Sequence, residues 1–153
     1  MKTKKSWKVK MEKPQAPEIL IGPENWNQRY GGQKMVIPTP RVIEKLLFEI
    51  PKGKVWTNSQ LRERIAEDCE ADYACPLTTG IFLRICSEYA EELRMAGVKK
   101  IPPYWRIIKD DGSFNEKFPG GVEAQIEKLK NEGHTLTQTP RGKWILKSIL
   151  KTK

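Results

Sequence analysis

The segment 101–108, Ile-Pro-Pro-Tyr-Trp-Arg-Ile-Ile, constrains the fold of this chain more than any other stretch. Proline fixes φ and pushes the residue before it toward extended geometry. The two prolines therefore predict a rigid, strand-like segment that presents Tyr104, Trp105 and Arg106 in a row. Because aromatic rings stack on nucleobases and arginine binds phosphates or base edges, this row suits nucleic-acid binding. The alternative is a structural strand in which Trp105 is buried and Arg106 is solvated.

The excess positive charge lies at the two ends of the chain. The 153 residues carry a net charge of +9 and suit one domain with a real core. Residues 1–13 hold six lysines and one glutamate, and residues 141–153 hold five basic side chains and no acidic one, which leaves the stretch between them at −1. Basic ends add sequence-independent affinity for phosphate backbones, although a solubility tail has the same composition.

Several function classes are excluded by composition. The sequence has no run of eighteen apolar residues, and its lysine-rich start lacks the apolar core of a secretory signal. Cys69, Cys75 and Cys86 form no Cys-x-x-Cys pair, and the single histidine, His134, follows a helix stop, where a packed or solvated residue is expected. We therefore expect a cytoplasmic protein with reduced thiols, no membrane segment, no metal and no cofactor.

Local signals predict three helices in the first two thirds of the chain. Thr39 as N-cap and Pro40 as first residue predict a helix over 40–49. Thr57 and Gln60 have capping-box spacing, which predicts a helix that runs to about residue 67. A longer helix over 78–95 is predicted, capped by Thr78 or Thr79. Its predicted inward side chains are Ile81, Phe82, Ile85, Cys86, Tyr89 and Leu93.

The last third predicts a helix followed by a hairpin. The pattern over 122–132 is helical, and Gly133 is a typical C-terminal stop. Two short strands, 135–139 and 143–146, flank the turn Pro140-Arg141-Gly142. Alternation predicts that Trp144 and Leu146 pack on one face. Arg141 and Lys143 at the tip are candidates to bind a phosphate.

An ordered set of motifs resembles the DNA-binding domain of methylated-DNA–protein-cysteine methyltransferases. The motifs are Ile-Pro-Lys-Gly-Lys-Val-Trp-Thr at 50–57, Pro-Tyr-Trp-Arg-Ile at 103–107, the glycine pair at 120–121 and Glu-Gly at 132–133. The family has Pro-Cys-His-Arg-Val at the second position, so the reactive cysteine and its histidine are replaced here. The chain therefore resembles the alkyltransferase-like branch, which binds alkylated DNA without repairing it. The resemblance covers roughly residues 36–148.

This resemblance implies a fold and a domain division. The implied fold class is mainly α with small β elements, a winged helix-turn-helix DNA-binding domain of the methylated-DNA cysteine methyltransferase type. The implied domains are a basic, largely disordered arm over 1–35, an alkyltransferase-like winged-helix domain over 36–148 and a basic tail over 149–153. Trp7, Trp26 and Tyr30 are expected to pin part of the arm onto the domain.

The resemblance also assigns roles to residues on the two helices of the helix-turn-helix. Thr57, Asn58 and Ser59 begin the supporting helix, whose N-terminus can hold a phosphate. Asn58 stands where the family has a tyrosine that presses on the phosphate beside the flipped nucleotide. Thr78 and Thr79 begin the recognition helix, where side chains approach the groove.

Further roles fall on the recognition helix and on the segment after it. Arg84 is assigned the role of the family's arginine, which fills the gap left by the flipped base, with a surface ion pair to Glu88 as the alternative. The resemblance places the remaining site residues at or beside the alkyl-base pocket: Pro103, Tyr104 and Trp105 as its stacking surface, Arg106 as an organising residue that bonds backbone carbonyls, and Asn115 and Lys117 as polar lining. For Asn115 and Lys117 the alternative is a plain surface loop.

The resulting prediction is a non-enzymatic protein that binds double-stranded DNA, recognises alkylated or modified bases by nucleotide flipping and is linked to DNA repair. A phenol with a pKa near 10 is a poor alkyl acceptor, so Tyr104 removes the transfer chemistry and no catalytic residue is assigned. A repair-pathway protein is a possible partner, and a monomer is expected. The alternatives are a winged-helix regulator without lesion specificity, an active methyltransferase that uses Cys86 or Cys75, and a protein-interaction module with an inherited fold.

Overall fold

A computed structural model describes residues 6–13 and 15–147 of the chain. The described part is mainly helical with small sheets, in agreement with the predicted class. The elements in chain order are α1 (Trp7–Glu12), β1 (Glu18–Ile21), α2 (Glu24–Tyr30), β2 (Lys34–Ile37), α3 (Pro40–Leu47), β3 (Trp56–Thr57), α4 (Asn58–Asp68), β4 (Tyr73–Ala74), α5 (Pro76–Met95), β5 (Ile107–Ile108), α6 (Gly121–Asn131), β6 (Leu136–Gln138) and β7 (Trp144–Leu146).

Helix starts follow the local capping chemistry, with one correction. The Thr39 hydroxyl accepts a hydrogen bond from the backbone N–H of Val42, and Thr57 forms the predicted reciprocal capping box with Gln60. The prediction that Thr78 or Thr79 caps the long helix is wrong. Helix α5 begins at Pro76, and the Cys75 thiol accepts the capping bond from the N–H of Thr78. Proline at the first helical position explains the earlier start, since it loses no hydrogen bond there.

Three small sheets connect distant parts of the chain. β2 pairs antiparallel with β1 and parallel with β4, and β6 pairs antiparallel with β7 as the predicted hairpin. β3 pairs parallel with β5, which sets Thr57 beside Ile108. This pairing joins the start of α4 to the end of the Pro-Pro segment, so two of the sequence motifs lie next to each other.

The region predicted as a largely disordered arm contains regular structure in its described residues, 6–13 and 15–35. α1 places Trp7 and Met11 on one face, because they are four residues apart. Met11 is only 1% exposed and its sulfur lies 3.8 Å from that of Cys86 on α5. This apolar contact is the physical reason why the segment is ordered. The basic tail over 149–153 lies outside the described residues.

The predicted buried face of α5 is largely confirmed, with one exception. Cys86 and Tyr89 are buried, and Phe82, Ile85 and Leu93 pack against the core. Thr79, Leu83, Cys86 and Ala90 are buried and follow a 4-3-4 spacing, which defines one stripe of the helix. Ile81, predicted to face inward, lies off this stripe and is 50% exposed, whereas Ser87 is fully buried. Burial on the hairpin also differs, since Leu146 is buried but Trp144 is 49% exposed. The exposed apolar residues of α5 therefore remain free to form part of a binding surface.

Candidate nucleic-acid interface

The predicted strand-like aromatic row is instead a single 3-10 turn, Tyr104–Arg106, before the short strand β5. Tyr104 is 1% exposed, and its hydroxyl donates a hydrogen bond of 2.8 Å to Glu91 Oε2. Its ring packs edge-on against Phe118, with ring centroids 5.1 Å apart. Burial and the contact with Glu91 raise the pKa of Tyr104 far above its ordinary value. Tyr104 is therefore a neutral core residue in this structure and is not placed to stack on a base, contrary to the prediction.

Trp105 is half-buried and lies beneath two cations. The Arg106 guanidinium and the Lys128 ammonium lie 5.7 and 5.4 Å from its ring centroid. Its exposed part borders a shallow cleft shared with Phe48, Lys100 and the buried Pro103. Trp105 and Pro103 thus lie at a different cleft from the polar residues of the predicted alkyl-base pocket.

Arg106 holds the Pro-Pro segment against the body of the protein. Its Nη1 donates to the carbonyl oxygen of Ile50 at 2.7 Å, which is the backbone contact predicted for it. Its Nη2 lies 2.7 Å from Glu132 Oε2, and the two side chains are only 14% and 9% exposed. Burial opposes the charge of Glu132, but the hydrogen bonds from Arg106 outweigh it and hold the pKa of that carboxyl below its usual value. This pair joins two of the sequence motifs and leaves little of Arg106 available to DNA.

The N-terminus of α4, predicted to hold a phosphate, already has an anion beside it. The backbone N–H of Ser59 donates to Asp110 Oδ1 at 2.9 Å, and its hydroxyl donates to Oδ2 at 2.5 Å. Thr57 uses its hydroxyl within the capping box, and Asn58 is half-buried. A phosphate can therefore reach this helix end only if Asp110 moves away.

Three of the predicted site residues meet at one open cleft of about 640 Å³. Arg84 reaches it from α5, and Asn115 and Lys117 reach it from the loop after β5. The cleft is also lined by the exposed Leu77 and Ile81 of α5. The structure therefore assembles a surface along the first half of α5 that combines polar, cationic and apolar groups.

The cleft carries an excess of positive charge. Its lining includes Lys10, Arg84, Lys109 and Lys117 against the single carboxylate of Glu116, which lies 3.8 Å from Lys109. Arg84 is exposed on α5, as its alternative role as a surface charge requires, but it forms no ion pair with Glu88 in the described part of the chain. The Arg84 guanidinium instead lies 5.8 Å from the ring centroid of Trp7 on α1.

Gln125 on α6 fixes the loop that lines this cleft, and the sequence analysis missed it. Its Oε1 accepts the backbone N–H of Asn115 at 3.0 Å, and its Nε2 donates to the carbonyls of Ile107 and Trp105 at 2.8 and 3.1 Å. Gln125 is 1% exposed. The signal was present, since Gln125 lies three residues after Val122 and four before Leu129, on the inward stripe of α6.

The remaining predicted contacts are distributed differently. Thr79 is 4% exposed on the buried stripe of α5, so it does not reach a groove, and Thr78 is half-buried. Arg141 is exposed at the turn between β6 and β7. Lys143 beside it forms an ion pair of 2.7 Å with Asp111, which, with the hydroxyl of Ser113, lowers the pKa of Asp111. At the hairpin tip, Lys143 is therefore paired with an acidic neighbour, whereas Arg141 is exposed to solvent.

Neither of the two cysteines proposed as alternative nucleophiles is accessible. Cys86 is fully buried and its thiol donates to the carbonyl of Pro40 at 3.1 Å, and burial raises the pKa of this thiol strongly. Cys75 is 4% exposed and serves as the cap of α5. Burial lowers the pKa of His134. Within the described residues, no group of His, Cys, Asp and Glu side chains could hold a metal ion, and no helix is long and apolar enough to cross a membrane.

Comparison with known proteins finds similarity to solved structures. One is S. pombe Atl1 in complex with damaged DNA containing O6-carboxymethylguanine, at 21% identity and a TM-score of 0.47. Another is S. pombe ATL in complex with DNA, at 19% identity and a TM-score of 0.48. Each alignment covers 70% of this chain and 86% of that chain. These structures are of the alkyltransferase-like kind that the motifs resemble. No protein-family model matches the chain, and no curated protein matches it.

Proposed function

We propose that this chain is a non-enzymatic DNA-binding protein of the alkyltransferase-like kind, which recognises an alkylated or otherwise modified base that is flipped out of double-stranded DNA and so serves DNA repair. One observation carries the proposal. The cleft along α5 brings Arg84, Asn115 and Lys117 together under an excess of positive charge. The resemblance to the alkyltransferase-like proteins assigns these same three residues to DNA and to the alkyl-base pocket.

Alkyl transfer is not part of the proposal, because it needs an accessible thiolate beside the docked base. The position of the family's cysteine holds the buried phenol of Tyr104, whose pKa is raised by burial. Cys75 and Cys86 are buried in the core. The chemistry left to the protein is recognition.

The cleft offers the contacts that such recognition needs. Lys109 and Lys117 provide positive charge for phosphates, and the exposed Leu77 and Ile81 provide apolar contact near the start of α5. Flipping a nucleotide costs a few kcal/mol, and the cost is lowest for a damaged base. Arg84 is long enough to occupy the space that the base leaves. An unmodified pair resists flipping more strongly, which favours the modified base.

Fluorescence anisotropy with two matched duplexes tests this proposal. The duplexes differ only in one O6-alkylguanine, and the proteins are the wild type, Arg84→Ala and Arg94→Ala. Arg94 is the matched control, because it lies at the far end of α5 and pairs with Glu91. We expect the wild type and the control to prefer the alkylated duplex by about tenfold or more, equivalent to ~1.4 kcal/mol. Arg84→Ala should lose most of this preference. Equal affinities of the wild type for both duplexes at moderate salt would refute lesion recognition.

One observation favours a second function, a winged-helix DNA-binding regulator without lesion specificity. A protein that accepts a flipped base at the family's cysteine position needs space there. The residue that the resemblance puts at that position, Tyr104, has a buried ring packed against Phe118. The hairpin β6–β7, with Arg141 and Lys143, would then serve as the wing. The same assay separates the two functions. A regulator binds both duplexes with equal affinity, and Arg84→Ala weakens its binding to both duplexes by no more than the loss of one phosphate contact.

A further inference from the structure

The helix α1 forms part of the same cleft. Trp7 and Lys10 line it together with Arg84 and Lys117, although they lie some seventy residues or more away in sequence. We infer that Trp7 supplies the aromatic face on which the extruded base stacks and that Lys10 contacts a phosphate next to that base. The inference rests on the proposed function and deepens it, because it assigns the stacking role to a segment outside the motifs that resemble the family.

Trp7 is held in a fixed position against α5. Its backbone N–H donates to Glu92 Oε1 at 2.7 Å, and Met11, one turn further along, is buried against Cys86. Trp7 as a residue is half-buried, since it packs against the core on one side and lines the cleft on the other. A platform for a base needs both properties, since a rigid support lowers the entropic cost of binding and an open face permits stacking.

Tyr104 and Trp105, the aromatic residues predicted to stack on the base, are not exposed to this cleft. Tyr104 is 1% exposed, and Trp105 borders a different cleft. Among the described residues that line the cleft at Arg84, Trp7 is the one aromatic. A base entering this cleft would therefore meet the ring of Trp7.

Charge at the indole indicates an occupant that carries phosphates. The Lys10 ammonium lies 4.1 Å from the ring centroid of Trp7, and the Arg84 guanidinium lies 5.8 Å from it. Both side chains are long and flexible, and a cation at an exposed aromatic ring is held less strongly than a stacked base. A base can therefore replace them on the ring, which frees Arg84 to occupy the space that the base leaves and Lys10 to contact a phosphate beside that base.

The first test compares Trp7→Leu with Trp26→Leu on the alkylated and unmodified duplexes. Trp26 is the matched control, because it is also partly buried but packs against Met35 and Tyr73. We expect Trp7→Leu to weaken binding of the alkylated duplex by about 10- to 100-fold and that of the unmodified duplex by less than about threefold. Trp7→Phe should retain most of the affinity, since its ring can still stack. Trp26→Leu should behave as the wild type.

The second test does not depend on how well α1 tolerates loss of the indole. Lys10→Glu and Lys8→Glu change the net charge equally on the same helix, but only Lys10 lines the cleft. We expect Lys10→Glu to weaken binding of the alkylated duplex by at least about tenfold and to reduce the slope of log affinity against log salt by about one, with a smaller effect of Lys8→Glu.

The outcomes separate the two levels of the proposal. If the wild type prefers the alkylated duplex but folded Trp7→Leu keeps that preference, or if Lys10→Glu and Lys8→Glu behave alike, the role of α1 is refuted and the proposed function stands. If the wild type itself shows no preference, the proposed function fails and this inference fails with it. Circular dichroism melts of each variant establish that the folded protein is being measured.

Discussion

The buried ion pair between Arg106 and Glu132 gives the sharpest stability prediction. Arg106 makes two short contacts, one to Glu132 Oε2 and one to the carbonyl of Ile50, each 2.7 Å long. Replacing Arg106 by methionine keeps much of its volume but leaves a carboxylate whose side chain is 9% exposed without a partner. Breaking a buried pair from one side costs about 3–5 kcal/mol. Since a domain is stable by only about 5–15 kcal/mol in total, Arg106→Met should lose a large part of this stability.

Urea denaturation measures this loss. With a denaturant slope of about 2 kcal/mol per M, a loss of about 3 kcal/mol moves the unfolding midpoint down by about 1.5 M. Arg64→Met is the matched control, because Arg64 makes a contact of the same 2.7 Å length to Glu49 but its side chain is 36% exposed. Its midpoint should hardly move, since solvent screens such pairs. Equal shifts for both variants would show that burial does not determine the strength of the Arg106 pair.

A double-mutant cycle isolates the pair itself. Adding Glu132→Leu to Arg106→Met removes the unpaired charge, and we expect this to recover about 2 kcal/mol. The pH dependence has a definite sign. The pKa of Glu132 is lowered in the folded state. Its ionised carboxylate therefore stabilises the fold at a pH above the ordinary carboxyl pKa, and this stability is lost as the pH falls through the pKa of the folded state. A recovery of zero in the cycle would mean that Arg106 stabilises the fold through Ile50 alone.

Three further predictions concern other parts of the structure. The Cys86 thiol should resist maleimide in the native protein and react once urea unfolds it, as followed by intact mass, because burial raises its pKa; rapid native labelling would contradict its burial. Gln125→Ala removes three hydrogen bonds and should cost ~2–3 kcal/mol, or roughly 5–10 °C in a thermal melt; an unchanged melt would show that the loop is fixed by other contacts. Asp111→Asn frees Lys143 from its ion pair, so DNA affinity should rise and the slope of log affinity against log salt should steepen by about one. The free energy of unfolding should fall by less than ~1 kcal/mol. An unaltered salt slope would place Lys143 away from phosphate.

Local chemistry explains what could be predicted from the sequence. The caps at Thr39 and Thr57 depend on side chains within three residues of the helix start, so their sequence pattern suffices. The hairpin around Gly142 is equally local, because the turn residues determine which strands pair. The family resemblance added Arg84, Asn115 and Lys117 as candidates, and these three residues meet at one cleft.

The parts that could not be predicted depend on long-range packing. Two prolines and an aromatic row predict extended backbone, but the burial of Tyr104 is determined by Glu91 and Phe118, which approach from elsewhere in the chain. α1 has only six residues, too few for a stable isolated helix, and its order comes from contact with α5. A lysine-rich, low-periodicity segment therefore gave no sign that Trp7 would line a cleft.

The contact between α1 and α5 has a consequence for the order of events during synthesis. Trp7 and its partner Glu92 are separated by 85 positions, and Met11 and Cys86 by 75. The ribosome must therefore add at least 75 residues after Met11 before the apolar side of α1 can be covered. Such distant pairings slow folding, because the intervening chain must close a large loop before it gains any contact. Until then the nascent chain exposes Trp7 and Met11, and a chaperone that binds short apolar segments has access to both side chains.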